Sequence, residues 1–499
     1  MNRKRKLIYN TIASLFRQVA GIICGLILPR LILNNYGSDV NGLVSSITQY
    51  LNLISIFDAG MGTVIEASLY KPLSEKNIKN INQIMSSAQK FYKTIVKLLF
   101  IYVILIALLY PLIVSDKFEY IYTVLLILAI SISLFGQYGI GVTNSVLLSA
   151  NQMGYINSFL IAISVIFNTI ISAILINFNA SIQMVKFASS MIFLARPIIL
   201  MIFVKIKYNV NFHEKYSIEP IKQKWNGIAQ HIATVIVNNT DVIVLTIFSN
   251  LKNVSIYSVY YLVISALNTV IDSLLTGFKA LIGDMMAKKE DELVNNTFSK
   301  IEIVSHLGII FLFSVANALI VPFVKIYTKG IDDANYITPI FAGVLCIAYI
   351  MYNLRVPYWN LILSAGHFKQ TQKYAIMEAI INVVISVIMV FFCGLVGVAI
   401  GTFVAMSYRT IMLANYNAKN ILHRKKIRFY ILLIIDLFML VIMYLSTRFV
   451  NSFLVENYFD WLKLSIITVL VCALETLIIF LIISIVKRFY RINGENHVN

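Results

Sequence analysis

The chain has 499 residues, 59% of them hydrophobic and only 13% charged, with a mean hydropathy of +0.81. A soluble globule is nearer half apolar and a quarter charged, so soluble domains, disorder, a coiled coil, a disulfide scaffold and a secreted enzyme are excluded. The formal charge of +18 would point to nucleic acid in a soluble protein. Here the basic residues fall between apolar runs, where they fix topology and meet anionic head groups, so membrane lipids and not nucleic acid are the expected partners.

In chain order, the basic cluster Met1 to Lys6 precedes an apolar stretch that runs past Leu28 with no small-residue cleavage site, so it reads as a retained first span. A helical span needs about 20 apolar residues to cross a core about 30 Å thick. That rule predicts fourteen spans, at 10–33, 42–65, 95–114, 120–146, 155–177, 182–204, 226–248, 254–277, 300–323, 337–364, 374–392, 394–415, 429–450 and 461–486. The runs are continuous, without the alternation of a lipid-facing barrel strand, so the fold class is an all-α polytopic membrane protein. Segments 66–94 and 278–299 are basic and partly amphipathic and are expected on the inner leaflet. The four cysteines, Cys24, Cys346, Cys393 and Cys472, lack the spacing of a zinc or redox site and read as small core residues.

Lys and Arg set the orientation. With the N-terminus inside, 28 of them fall on the cytoplasmic side and 7 near the outer side, which places both termini in the cytoplasm. The inner segment 205–225 separates an N-terminal lobe of six spans (1–204) from a second lobe of six (226–415). A basic loop at 416–428 then leads to an extra pair of spans and a tail (429–499). A weak repeat of hydropathy between Asn10–Gly62 and Asn226–Phe278 supports the division into lobes, with a cavity expected between them. No outer loop exceeds about fifteen residues, which leaves a glycosyltransferase or polymerase nowhere to hold its acidic groups, and there is no phosphate-binding loop for ATP. No enzyme activity, cofactor or metal is expected.

Charges at membrane depth cost about 2.5–3.5 kcal/mol each on insertion scales and so mark partners or wet cavities. Glu66, Lys97, Asp272 and Glu378 lie near span ends and are expected to snorkel. Arg17, Arg196 and Arg355 lie deeper. A guanidinium is never neutral and presents a fork that matches phosphate oxygens. Two readings stand: these arginines line an anion site, or each is paired as structural glue, for example Arg17 with Asp58 and Arg355 with Asp241. The deep acids Asp58 and Asp241 are candidates for Na⁺ or H⁺ coupling, with Asn238, Asn239 and Thr240 offering further oxygens. Pro29, Pro111, Pro197, Pro322 and Pro357 are candidate bends. Tyr257, Tyr260, Tyr261, Tyr352, Tyr358 and Trp359 offer rings for sugars or for interfacial anchoring.

The opening NTIASLFRQVAGIICGLILPRLILNNYGSDVNGLVSSITQYLNLISIFDAGMG, with LLSANQMGYI at 147–156 and NNTDVIVLTIFSNLKNVSIYSVYYLV at 238–263, resembles the bacterial polysaccharide repeat-unit flippases. These are the O-antigen and capsule type of the multidrug/oligosaccharidyl-lipid/polysaccharide (MOP) exporter superfamily. The resemblance covers nearly the whole chain. It implies a MATE-like fold of two six-helix lobes and alternating access. It also implies passage of an undecaprenyl-pyrophosphate-linked oligosaccharide from the inner to the outer leaflet of the cytoplasmic membrane, alongside a polysaccharide polymerase machinery. Cations lining the cavity of that family correspond here to Arg17, Arg196 and Arg355. The extra pair at 429–486 departs from the twelve spans of many such flippases and is similar in number to the lipid II flippases. The competing readings are a MATE-type drug/cation antiporter, which would favour an acidic cavity, and a membrane glycosyltransferase or ligase.

Overall fold

The computed structural model describes residues 3–495, apart from positions 59, 209, 213, 217, 218, 220 and 222–227. Every regular element among the described residues is helical. Among the described residues twelve helices are long and apolar enough to cross a membrane, and two of these contain a sharp break. α1 (Arg3–Asn52) turns at Gly37 (φ 82°, ψ 178°) and α14 (Phe368–Asn420) at Gly394 (φ 53°, ψ −126°). Both conformations lie where a Cβ is penalised, so a glycine lets each chain reverse within one residue. Counting the arms of each separately gives fourteen segments, in line with the expected fourteen.

By packing, the chain divides into residues 1–258 and 259–499. The first unit contains α1, α2 (Ser55–Asp58), α3 (Met61–Ser74), α4 (Ile78–Ile113) and α5 (Tyr120–Gly136). A single π-helical turn (Gln137–Gly141) leads on to α6 (Val142–Ala150), α7 (Gly154–Asn177), α8 (Ile182–Tyr208), α9 (Ile228–Phe248) and the start of α10 (Leu251–Ala287). α1 packs mainly on α7, and α5 on α8. The division falls after the linker because α9 and the start of α10 pack on α1. Asn41 donates to Ser255 Oγ at 2.8 Å, and the Ser46 and Thr246 hydroxyls lie 2.7 Å apart. Between these contacts a Cβ on Gly42 would sit 1.9 Å from the Leu251 carbonyl oxygen. Small residues that admit backbones this closely are the usual basis of helix association where lipid removes the hydrophobic drive.

The second unit holds the remainder of α10, then α11 (Asp291–Tyr327), α12 (Pro339–Leu354), α13 (Val356–Ser364), α14, α15 (Ile427–Ser446), a 3₁₀ turn and α16 (Tyr458–Glu495). Its most intimate joint is the hairpin of α14. Gly397, Gly401 and Ala405 are spaced by four and form one stripe. A Cβ on Gly397 would meet the Met389 carbonyl at 2.0 Å, and one on Gly401 the Ser386 hydroxyl at 2.2 Å. Further from the turn, Asn382 donates to Thr402 at 3.1 Å, and Arg409 donates to Glu378 at 2.5 Å.

Large apolar side chains cover the outside, among them Phe391 and Phe392 at the α14 turn and Leu470, Leu474 and Leu477 along α16. Exposure on this scale far exceeds the few hundred Å² tolerated on a soluble monomer and needs lipid around it.

One expectation is corrected. The second span is not continuous over 42–65: the helix ends at Asn52, a four-residue turn of helix covers Ser55–Asp58, and α3 starts at Met61. The segment 66–94 closes α3 and opens α4, where Met85, Ser87 and Ala88 are buried. Described linker residues run along that face: Ser86 donates to the Phe212 carbonyl and Ser87 to Glu219, each at 2.5 Å. The segment 278–299 likewise belongs to the ends of α10 and α11.

Candidate functional site

Backbone interruptions and membrane-depth charges coincide. Asp58 closes the fragment Ser55–Asp58 in the broken second span. Arg196 reaches the π-helical turn, and Arg355 sits at the join of α12 and α13, two residues before Pro357. Irregular backbone survives at membrane depth only where protein or a wet cavity satisfies it, and both π-turns and discontinuous spans recur at ligand sites.

In the first unit these interruptions form one cluster. Tyr92, fully buried on α4, donates to Asp58 Oδ1 at 2.8 Å and stacks on Tyr138 with ring centroids 6.5 Å apart. Beside Tyr138, Gln137 Oε1 accepts from Arg196 Nη2, while Arg196 Nε is buried without an acceptor among the described residues. A close fit holds α8 against the turn, because a Cβ on Gly136 would meet Leu194 at 2.2 Å. From α9, His231 Nε2 lies 2.9 Å from the Ser55 carbonyl, beside Asp58. A carboxylate, a guanidinium with an open donor and three aromatic or amide groups thus surround two breaks.

Arg17 stands apart. It falls on the stripe of Ala13, Ala20 and Cys24, all buried, yet its own side chain is exposed and makes no ion pair or hydrogen bond with any described residue. Twelve residues of helix after Arg5 place it about 18 Å along the span. Asp58 therefore hydrogen-bonds Tyr92, and the expected Arg17–Asp58 pair is not formed.

Arg355 differs from the expectation of an open cation. It is buried, pairs with Glu378 and lies over the Tyr352 ring at 4.3 Å. Glu378, expected to snorkel, is fully buried because it also accepts from Arg409. Two guanidiniums share one carboxylate, so the triad keeps a charge of +1, and Asp272 is near enough to Arg355 to feel it. The partner anticipated for Arg355, Asp241, is instead buried on α9 and accepts from Tyr257 at 2.8 Å. Asn239 and Thr240 turn their donors back to Val235 and Ile236, a local bond common for such residues in helices.

Of the six rings marked for sugars, Tyr260 and Tyr358 are core residues, Tyr257 is held by Asp241, and Tyr352 lies under Arg355. No pattern of residues pointed to Gln137, Tyr92 or Tyr138, whose roles depend on the π-turn and on α4. Glu302 and His306, also missed, are four apart on α11 and carried a readable signal, two ionisable groups on one helical face. Among the described residues no group of three or more His, Cys, Asp or Glu is arranged to hold a metal.

No family model matches the chain, and no curated protein matches it in sequence. Solved structures do match in fold. The lipid II flippase MurJ in an inward closed conformation superposes with a TM-score of 0.63 at 16% identity, over 94% of this chain and 98% of that one. An inward-facing multidrug resistance MATE family transporter of the MOP superfamily gives 0.57 at 12%, over 80% and 96%. A MOP superfamily transporter from Pyrococcus furiosus, described by the reversed polarity of its binding pocket, gives 0.52 at 12%, over 85% and 98%. The chain is thus a polytopic all-α membrane protein with the fold shared by the lipid II flippase and the MATE transporters.

Proposed function

We propose that the protein is a flippase that carries undecaprenyl-pyrophosphate-linked oligosaccharide repeat units from the inner to the outer leaflet of the bacterial cytoplasmic membrane by alternating access, for polysaccharide biosynthesis. The observation that carries the reading is Arg17: a permanent cation, exposed within a membrane span and without a carboxylate partner among the described residues. A bare guanidinium in hydrocarbon is costly, so this position calls for water or an anion. A lipid diphosphate brings that anion, and a fixed cation replaces the water it sheds while the polyprenyl tail stays in lipid. Arg196 contributes its open Nε–H. Arg355 acts through the residual +1 of its triad with Glu378 and Arg409, a weaker attraction than a free guanidinium would exert. No bond is made or broken. Both termini are placed in the cytoplasm by the charge bias.

Asp58 favours a second reading. It is only partly buried and lies in a broken span, so it suits a cation: a coupling Na⁺ or H⁺ in a flippase, or the substrate of a drug/cation antiporter. Asp241 is the lesser candidate, being sealed by Tyr257.

One experiment separates these. In a strain lacking the protein, lipid-linked oligosaccharide should accumulate facing the cytoplasm, with unchanged drug susceptibility; the converse pattern selects the antiporter. Complementation with an Arg17→Ala, Arg355→Ala double variant should then fail at normal protein levels. Normal export by that variant would remove the anion site from the proposal.

A further inference from the structure

In the second unit, a polar chain crosses the packing of α11, α13 and α15. Glu302, fully buried on α11, is ion-paired with Arg424 of the basic loop and with Arg428 Nε at 3.0 Å. It also accepts from the Tyr358 hydroxyl at 2.8 Å. One turn on, His306 Nε2 lies 3.3 Å from that same hydroxyl, and His306 Nδ1 lies 2.6 Å from Asp436 Oδ2 on α15. Tyr358, His306 and Asp436 are all buried, and the Phe429 ring closes edge-on over Tyr358 and His306.

Counting hydrogens fixes what this geometry requires. Tyr358 has one hydroxyl hydrogen, and at 2.8 Å it goes to Glu302. The His306–Tyr358 contact then needs its hydrogen from Nε2. A neutral imidazole protonated at Nε2 would leave the Nδ1 lone pair facing the Asp436 carboxylate across 2.6 Å, lone pair against lone pair. The short contact therefore holds one further proton, on either Nδ1 or Oδ2. When that proton leaves, the imidazole restores the bonds by keeping its hydrogen on Nδ1 for Asp436 and accepting the Tyr358 hydrogen at Nε2, which takes that hydrogen from Glu302.

We infer that His306 and Asp436 form a proton-binding site, and that its occupancy is relayed through Tyr358 to the Glu302 carboxylate that holds Arg424 and Arg428. The charge count agrees. Glu302, Asp436, Arg424 and Arg428 sum to zero with neutral His306, and the bound proton is the one added charge. Among the described residues, the other elements in contact bring no further side-chain partner to Tyr358, His306 or Asp436; from α14, Asn417 donates to the Tyr358 carbonyl at 3.0 Å. α12 has no charged side chain before Arg355, which Glu378 holds, and on α16 the mid-span charge is Glu475, beside Cys472. Asp/Glu/His chains of this kind are how membrane proteins store and pass protons. The basic loop, which leads to the C-terminal helix pair, is thereby tied to the protonation of a site buried in the protein. This site is independent of the substrate proposed above.

The test uses the full chain in lipid nanodiscs. Nitrogen-15 spectra of the histidines, with His306 assigned by its loss in His306→Gln, should show His306 protonated at Nε2 at low pH and changing to the Nδ1–H form as the pH is raised. An environment-sensitive dye at Lys425→Cys, an exposed loop position, in a Cys393→Ser background should report a transition at the same pH. That transition should vanish in Asp436→Asn, whose side chain matches the original in shape. In Tyr358→Phe the nitrogen titration should persist while the loop signal no longer follows it. A single His306 tautomer across the whole range, read in the otherwise unaltered chain, overturns the site. A loop transition unchanged in Tyr358→Phe overturns the relay.

Discussion

At the scale of single residues, burial and partnering separate the deep arginines into two kinds. Arg355 and Arg409 compete for Glu378 inside the protein, and removing one member of a buried ionic group is expensive because the others stay desolvated. Glu378→Ala should lower the stability of the detergent-solubilised protein by roughly 3–5 kcal/mol, read as a large loss of melting temperature. Arg409→Met should cost less, because it leaves a neutral Arg355–Glu378 pair. Arg17 has nothing to lose in the folded state, so Arg17→Ala should melt as the parent does. Its effect belongs to transport. Loss of a charge-assisted contact of about 1.5–3 kcal/mol lowers substrate affinity about ten- to hundredfold, measured in proteoliposomes, with partial recovery in Arg17→Lys.

At the scale of elements, glycines decide where helices reverse and how closely they lie. Gly394 supplies the α14 turn, and Gly397 and Gly401 let the returning arm rest against Met389 and Ser386. Gly401→Ala places a methyl group 2.6 Å from the Ser386 backbone nitrogen, which only separation of the arms can relieve. A destabilisation of about 1–3 kcal/mol is expected in thermal unfolding, and the Asn382–Thr402 and Glu378–Arg409 bonds further along should loosen with it. The discontinuity at Asp58 was not visible as such, whereas Pro357 marked the bend beside Arg355. Hydropathy averages over a window, so a few non-helical residues inside an apolar run leave it unchanged, and each run read as a single span.

At the scale of the whole molecule, the asymmetry of Lys and Arg predicts an orientation, and the chain carries its own reporter. Cys393 is exposed at the α14 turn, whereas Cys24, Cys346 and Cys472 are buried. With cytoplasmic termini that turn faces outward, so a membrane-impermeant maleimide should label Cys393 in spheroplasts. A cysteine placed at Lys71, on the opposite side, should label only after permeabilisation. The reverse pattern would invert the assigned orientation.

Fold class and the number of spans were decided by composition and run length, because a bilayer imposes one solution on every long apolar segment: a helix with its backbone bonds closed internally. The deep charges were legible for the same reason, each being anomalous in its own window. Their partners were not. Glu378 lies 23 residues from Arg355 and 31 from Arg409, and Asp436 lies 130 from His306. Which of several buried groups come within 3 Å depends on helix rotation and on the glycine contacts that set helix spacing. Packing therefore separated the exposed Arg17 from the buried, ion-paired Arg355, and brought Glu302, Tyr358, His306 and Asp436 into a single chain of hydrogen bonds.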